Sequence, residues 1–202
     1  MKLLLATRNQ GKLRELRRIL ADLGPGARIE VLGLADVAPY PDAPETGATF
    51  AENALAKARD AVAATGLPSV ADDSGLTVDA LNGMPGVLSA RWAGRHGDDR
   101  ANLELVLGQL ADVPDERRGA AFVCSAALVT SDGAATVTHG EWRGRLARAP
   151  RGSGGFGYDP IFVPDGGERT SAELTAAEKD SASHRGRAFR ALLPALRALA
   201  GG

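Results

Sequence analysis

Leu3-Leu4-Leu5-Ala6-Thr7-Arg8-Asn9-Gln10-Gly11-Lys12-Leu13 is the stretch on which the fold turns. Leu3 to Ala6 are apolar without a polar face between them, the pattern of a short strand buried on both sides. Just beyond, Leu13, Leu16, Leu20 and Leu23 recur at helical spacing, so Gly11 to Leu23 reads as a helix stopped by Gly24. A buried strand, a tight turn and an amphipathic helix in that order open an α/β fold. Ile29 to Leu32 is the next predicted strand, and the Pro39–Pro44 segment, rich in proline, cannot enter a central sheet. Thr49 to Thr65 reads as a helix, begun by Thr49 and Glu52 at capping-box spacing and ended by Gly66-Leu67-Pro68. Ser69-Val70-Ala71 reads as a short strand that delivers Asp72 and Asp73 at its end.

Further along, Asp98 is placed to cap a helix running to about Ala111. Ala120 to Thr130 and Ala134 to Trp142 form a predicted hairpin across Ser131-Asp132-Gly133. Arg151 to Gly157 is a glycine-rich loop, and Thr175 to Asp180 a short helical turn with Thr175 and Glu178 again at capping-box spacing. His184 to about Leu199 is a closing helix in which Pro194 implies a kink or a late start. There is no internal repeat and no separable linker. The expectation is one domain over residues 1–202, with a mixed sheet and helices on both faces. In such sheets ligands bind where loops leave the carboxyl ends of strands.

Composition narrows the function classes. The 202 residues are 44% hydrophobic and 24% charged, which is the balance of a folded domain. A net charge of -1 gives no broad electrostatic attraction for a nucleic acid polymer, so any phosphate recognition must be local. Cys124 is the one cysteine, inside the apolar run Ala120 to Val129, which rules out an internal disulfide and a cysteine metal site. The apolar stretch at the N-terminus is too short for a signal peptide, and no run approaches the roughly 18 apolar residues of a membrane span. A cytoplasmic protein without a membrane partner is expected. Lysines are few, namely Lys2, Lys12, Lys57 and Lys179, and Lys12 and Lys179 fall inside motifs.

Four segments carry polar groups in a pattern that suits chemistry. Thr7 to Lys12, between strand and helix, offers backbone N–H groups, a flexible Gly11 and a cationic Lys12 as a phosphate cradle. It is not a P-loop of the Walker type, because Ala6 stands where the first glycine belongs and Leu13 replaces the metal-binding hydroxyl. The bland alternative is an ordinary turn with Thr7 or Asn9 capping. Ala71-Asp72-Asp73-Ser74-Gly75 places adjacent carboxylates where a buried strand ends, which is costly unless a cation or hydrogen bonds compensate. Magnesium takes one or two carboxylates and keeps waters, so it fits; an Asx turn explains the same residues structurally. Neighbouring strand residues point to opposite faces, so Asp72 and Asp73 should have different tasks. In the segment Glu45 to Asn53, Glu45 is the better candidate to share a metal with Asp73, because capping already accounts for Glu52. In Ser153 to Pro160, glycines around Phe156 let a ring stack on a base while Asp159 accepts hydrogen bonds from the base edge; alternatively Phe156 and Tyr158 plug the core. Ser183-His184-Arg185 adds donors at a helix start, while His96 and His139 read as surface or structural.

Taken together and in order, Thr7 to Lys12, Ala71 to Gly75, Leu81 to Gly86, Ser89-Ala90-Arg91, Gly155 to Pro160, Ala177-Glu178-Lys179 and Ser183-His184-Arg185 resemble the inosine triphosphate pyrophosphatase family, the XTP/dITP diphosphatases. The likeness runs from about Lys2 to Leu199. It implies an elongated mixed α/β fold with two lobes and a nucleotide cleft between them, usually homodimeric. It implies magnesium-dependent hydrolysis of nonstandard purine nucleoside triphosphates (dITP, ITP, XTP) to monophosphate and pyrophosphate, which cleanses the nucleotide pool. By the same resemblance Thr7, Arg8, Asn9, Gln10, Gly11 and Lys12 hold the triphosphate. Asp73 is the catalytic acid/base residue and a metal ligand with Glu45, Ser74 touches substrate, and Phe156, Gly157, Tyr158 and Asp159 sandwich and read the purine. Lys179, His184 and Arg185 complete the contacts. Arg8 and Gln10 are larger than the residues often found at those points. Two rivals are a pyrophosphatase of the Maf type acting on modified pyrimidine or methylated nucleotides, and a non-catalytic nucleotide sensor. The Phe156–Asp159 and His184-Arg185 set argues against the first, and intact Lys12, Glu45 and Asp73 against the second.

Overall fold

β1 (Lys2–Leu5) forms on the unbroken apolar run, and Leu3, Leu4 and Leu5 are fully buried. The computed structural model describes residues 1–8, 10–21, 29–41 and 44–201. After β1 come α1 (Gln10–Ala21), β2 (Glu30–Leu32), α2 (Phe50–Thr65), β3 (Ser69–Val78) and α3 (Asp99–Gln109). Then follow β4 (Gly119–Val129), β5 (Ala135–Leu146), β6 (Phe162–Pro164), α4 (Ala176–Ala182) and α5 (His184–Gly201). The strands make one sheet in the order β2-β1-β3-β4-β5-β6. β1 is parallel to both neighbours, with Leu3 opposite Val31 and Leu5 opposite Val70, whereas β5 and β6 are antiparallel. The sheet is therefore mixed, as the element order predicts.

The chain divides into two compact units, one of Met1–Asp73, Cys124–Gly140 and Arg185–Gly202, the other of Ser74–Val123 and Glu141–His184. In the first, strand alternation separates two cores. Leu3, Leu5, Val70, Cys124, Ala126 and Leu128 face Leu13, Leu16 and Leu20 of α1 and Phe189, Leu192 and Leu196 of α5. Their sequence neighbours Ala71, Ala127 and Val129 face Ala54 and Ala58 of α2. One face thus packs on leucines and the other on alanines, and helices cover both, as expected. The second unit packs Leu76, Val78, Phe122, Trp142 and Phe162 with Leu103 and Val106 of α3. Phe162 is its aromatic centre, with ring centroids 4.5 Å from Phe122 and 5.4 Å from Trp142.

Element ends follow local chemistry. Thr49 accepts from the Glu52 N–H at 3.2 Å, Glu52 accepts from Thr49 and Ala48 in return, and Gly66 closes α2 at φ 69°. Asp98 and Thr175 cap α3 and α4 as their spacing predicts. Cys124 is a buried thiol on β4. α5 starts at His184 and contains Pro194, so the late start is excluded. Asn9, Leu23, Gly24, Asp42 and Ala43 lie outside the described residues.

Three expectations need correction. β3 does not stop at Ala71; it runs through Asp72, Asp73, Ser74 and Gly75 to Val78, so these residues are strand rather than an Asx turn or loop. Aspartate, serine and glycine disfavour strands in isolation, but here tertiary partners satisfy the carboxylates and the ladder continues. Gly75 serves a close approach, since a Cβ there would overlap the Gly86 carbonyl and the Ser89 hydroxyl. β5 extends past Trp142 to Leu146 with every second residue from Gly140 buried. β6 went unread because three residues leave too short a period to see.

Candidate active site

Asp72 and Asp73 sit side by side on β3 and are met from different helices. The Asp72 side chain is fully buried and forms ion pairs with Lys12 of α1 at 2.8 Å and Arg185 of α5 at 3.2 Å. Cys124 Sγ lies 3.9 Å from the same oxygen. Burial alone would raise this carboxyl's pKa; the Lys12 and Arg185 charges outweigh it and hold Asp72 well below the usual carboxylate range. Asp73 accepts from the Asn53 amide at 3.1 Å and from Lys57 Nζ at 3.0 Å, both on α2. Lys57 also forms an ion pair with Glu45. The opposite-face reasoning holds, and the two aspartates have separate partners.

Glu45, Lys57 and Asp73 form a trio of two carboxylates around one ammonium. Burial opposes the Lys57 charge, yet Asp73 and Glu45 together push its pKa up. For Asp73 the balance reverses. Burial raises its pKa and the Glu45 charge adds to that, more than its share of Lys57 and Asn53 offsets. A buried carboxyl held above its ordinary value is poised to exchange a proton. The trio carries one net negative charge. Among the described residues no group of three or more His, Cys, Asp or Glu side chains gathers to ligate a metal. Magnesium needs only one or two carboxylates beside its waters, so Asp73 and Glu45 fit it as a donor set. Glu52 is engaged by the N–H groups of Ala48 and Thr49 at the start of α2.

The other predicted residues fall as follows. Thr7 and Arg8 precede α1, half-buried and exposed, and the Thr7 N–H donates to the Leu5 carbonyl at 2.9 Å. Gln10 and Gly11 open the helix that carries Lys12. Ser74 is half-buried on β3. In the second unit Phe156 is 47% exposed, with Lys179 Nζ 5.2 Å from its ring centroid. Asp159 is buried, accepts from the Phe156 N–H at 2.8 Å and the Ser171 hydroxyl at 2.7 Å, and pairs with Lys179. A Cβ on Gly155 would overlap the Asp159 carboxylate, which is why that turn takes glycine. Tyr158 is buried and donates its hydroxyl to the Ser89 carbonyl at 2.8 Å. The two aromatics therefore divide the readings between them: Tyr158 plugs the core and Phe156 presents a ring. His184 is buried and stacks on Phe122 with centroids 5.0 Å apart, while Arg185 turns to Asp72.

Lys57 and Asn53 were missed as site residues. Asn53 and Lys57 are four apart on α2, hence on one helix face, and Lys57 is one of only four lysines. Those two signals were available.

A mixed α/β sheet whose strand carries adjacent carboxylates, each met by ammonium or guanidinium groups, defines an α/β protein with an acid–base site suited to polyphosphate chemistry. The chain belongs to the Ham1 family, whose model matches residues 3–195. It is 69% identical over 199 residues to a protein of Nocardia farcinica called dITP/XTP pyrophosphatase, covering 98% of this chain and 96% of that one. A crystal structure of a nucleoside-triphosphatase, dITP/XTP pyrophosphatase, from Mycobacterium abscessus is 62% identical, with a TM-score of 0.79 over 96% of this chain and all of that one. A HAM1 protein structure from Coxiella burnetii is 44% identical, with a TM-score of 0.88 over 98% and 99% of the two chains.

Proposed function

We propose that this protein hydrolyses nonstandard purine nucleoside triphosphates, dITP, XTP and ITP, to the monophosphate and pyrophosphate, and so cleanses the nucleotide pool. The observation that carries the reading is Asp73, a buried carboxyl with a raised pKa, oriented by Asn53 and Lys57 and facing Glu45 across the shared ammonium. A protein 69% identical bears the name dITP/XTP pyrophosphatase.

In this reaction Asp73 takes a proton from the water that attacks the α-phosphorus. The bond between that phosphorus and the bridging oxygen breaks, and pyrophosphate leaves with the bonding electrons. Lys12, supported by Asp72, binds the triphosphate and neutralises charge on the leaving group. Asp73 and Glu45 would hold a magnesium ion, which supplies charge neutralisation for the phosphates when bound. Phe156, Asp159 and Lys179 handle the purine by stacking and by hydrogen bonding to its edge. A pocket that hydrogen-bonds one base pattern leaves groups unpaired with another, which discriminates strongly. The reading extends to a homodimer acting in the cytoplasm.

The test is pyrophosphate release by purified protein. With magnesium, dITP and XTP should turn over at least roughly a hundredfold faster than dATP and dGTP by kcat/KM, and chelation should stop all four. Equal rates on the four nucleotides would remove the substrate assignment; undiminished activity in chelator would remove the metal.

A further inference from the structure

The segment from Gly155 to Asp159 is held from two sides, and only one of them belongs to the segment itself. Asp159 closes back on the Phe156 N–H at 2.8 Å. The next N–H, that of Gly157, donates at 2.7 Å to Oδ2 of Asp99, 58 residues away in sequence. Asp99 is the first residue of α3 but does not cap the helix. The cap is Asp98, whose side chain accepts from the Ala101 N–H at 3.1 Å. α3 is itself seated in the core of the second unit through Leu103 and Val106, so Asp99 stands on a fixed base.

The peptide bond between Phe156 and Gly157 carries the N–H that Asp99 takes. Gly157 lies in the left-handed region at φ 60°, where the backbone has freedom that a side chain would remove. Holding that N–H fixes the peptide plane after Phe156, while Asp159 fixes the N–H before it. Tyr158 then ties the chain down through Ser89. The half-exposed ring is therefore set by two carboxylates, one local and one from α3.

We propose that Asp99 is a positioning residue for base recognition: by accepting the Gly157 N–H it sets the angle at which Phe156 presents its ring to a purine. This rests on the reading of Phe156 as the stacking ring. Asp99 has no assigned part in moving the proton or holding the phosphates, so its loss should weaken nucleotide binding and leave the chemical step alone. Because the Asp99 side chain is exposed, the effect is moderate.

Two variants and two measurements test it. Asp99→Ala should raise KM for dITP about fivefold with kcat within about twofold of wild type. Asp99→Asn keeps an acceptor oxygen and should restore KM to within about twofold. Amide exchange at Gly157 without nucleotide should quicken roughly tenfold in Asp99→Ala and return in Asp99→Asn. Unchanged KM and unchanged Gly157 exchange in Asp99→Ala would overturn the proposal, as would equal damage from both variants or a fall in kcat alone. Wild type that does not act on dITP would instead sink the functional reading and this inference with it, so the two failures are distinct.

Discussion

Asp72 and Asp73 are adjacent and chemically identical, yet their surroundings drive them in opposite directions. Asp72 titrates below its unfolded value of about 3.9, so its stabilisation is complete above that value and is lost as pH falls through the folded pKa. Asp73 titrates above its unfolded value. Folding therefore favours its neutral form; that contribution is present below the unfolded pKa and lost as pH rises through the folded one. Once ionised, Asp73 works against folding. Asp72→Asn should lower the unfolding free energy at pH 7 by about 3 kcal/mol, because Lys12 and Arg185 lose their shared counter-charge in a buried position. Asp73→Asn should leave stability within about 0.5 kcal/mol of wild type or raise it, while cutting dITP turnover roughly a thousandfold. Urea unfolding beside a pyrophosphate assay separates the two. If Asp72→Asn were the milder for stability, the division of labour between the carboxylates would be wrong.

α2 and β3 show how elements carry these side chains. α2 packs on the sheet through alanines, which bring its axis close and place Asn53 and Lys57 within reach of Asp73. Its first turn depends on the reciprocal bonds of Thr49 and Glu52. Thr49→Ala should cost about 1 kcal/mol in thermal or urea unfolding, and an unchanged midpoint would mean the cap contributes nothing. β3 owes its length to partners outside it. A strand interrupted by two aspartates, a serine and a glycine stays paired because cations from α1, α2 and α5 meet the charges and Gly75 admits a neighbouring turn.

Each unit has its own core, leucine-rich around α1 and α5 in one and aromatic around Phe162 in the other, and strands β3 and β4 contribute residues to both. Lys12, Asp72 and Asp73, proposed for the phosphate chemistry, fall in the first unit, and the Phe156–Asp159 segment, proposed for the base, in the second. The proposed homodimer should show a solution mass near twice that of the 20.9 kDa chain by light scattering. A single-chain mass across micromolar concentrations would dismiss it.

The amino-acid order alone determined whatever depends on near neighbours: the buried run of β1, the stripe of α1, the caps of α2, α3 and α4, and the hairpin of β4 and β5. It also presented Asp72, Asp73, Lys12, Glu45, Phe156, Asp159 and Lys179 as polar or aromatic groups in a suggestive order. Tertiary structure alone decided the continuation of β3 through Asp73, the pairing of Lys12 with Asp72, the recruitment of Lys57 and Asn53, and the different fates of Phe156 and Tyr158. Local propensity acts over a few residues, whereas a buried charge is made tolerable by a counter-charge that folding brings from far along the chain. Arg185 reaches Asp72 from 113 residues away, a distance no local pattern can encode.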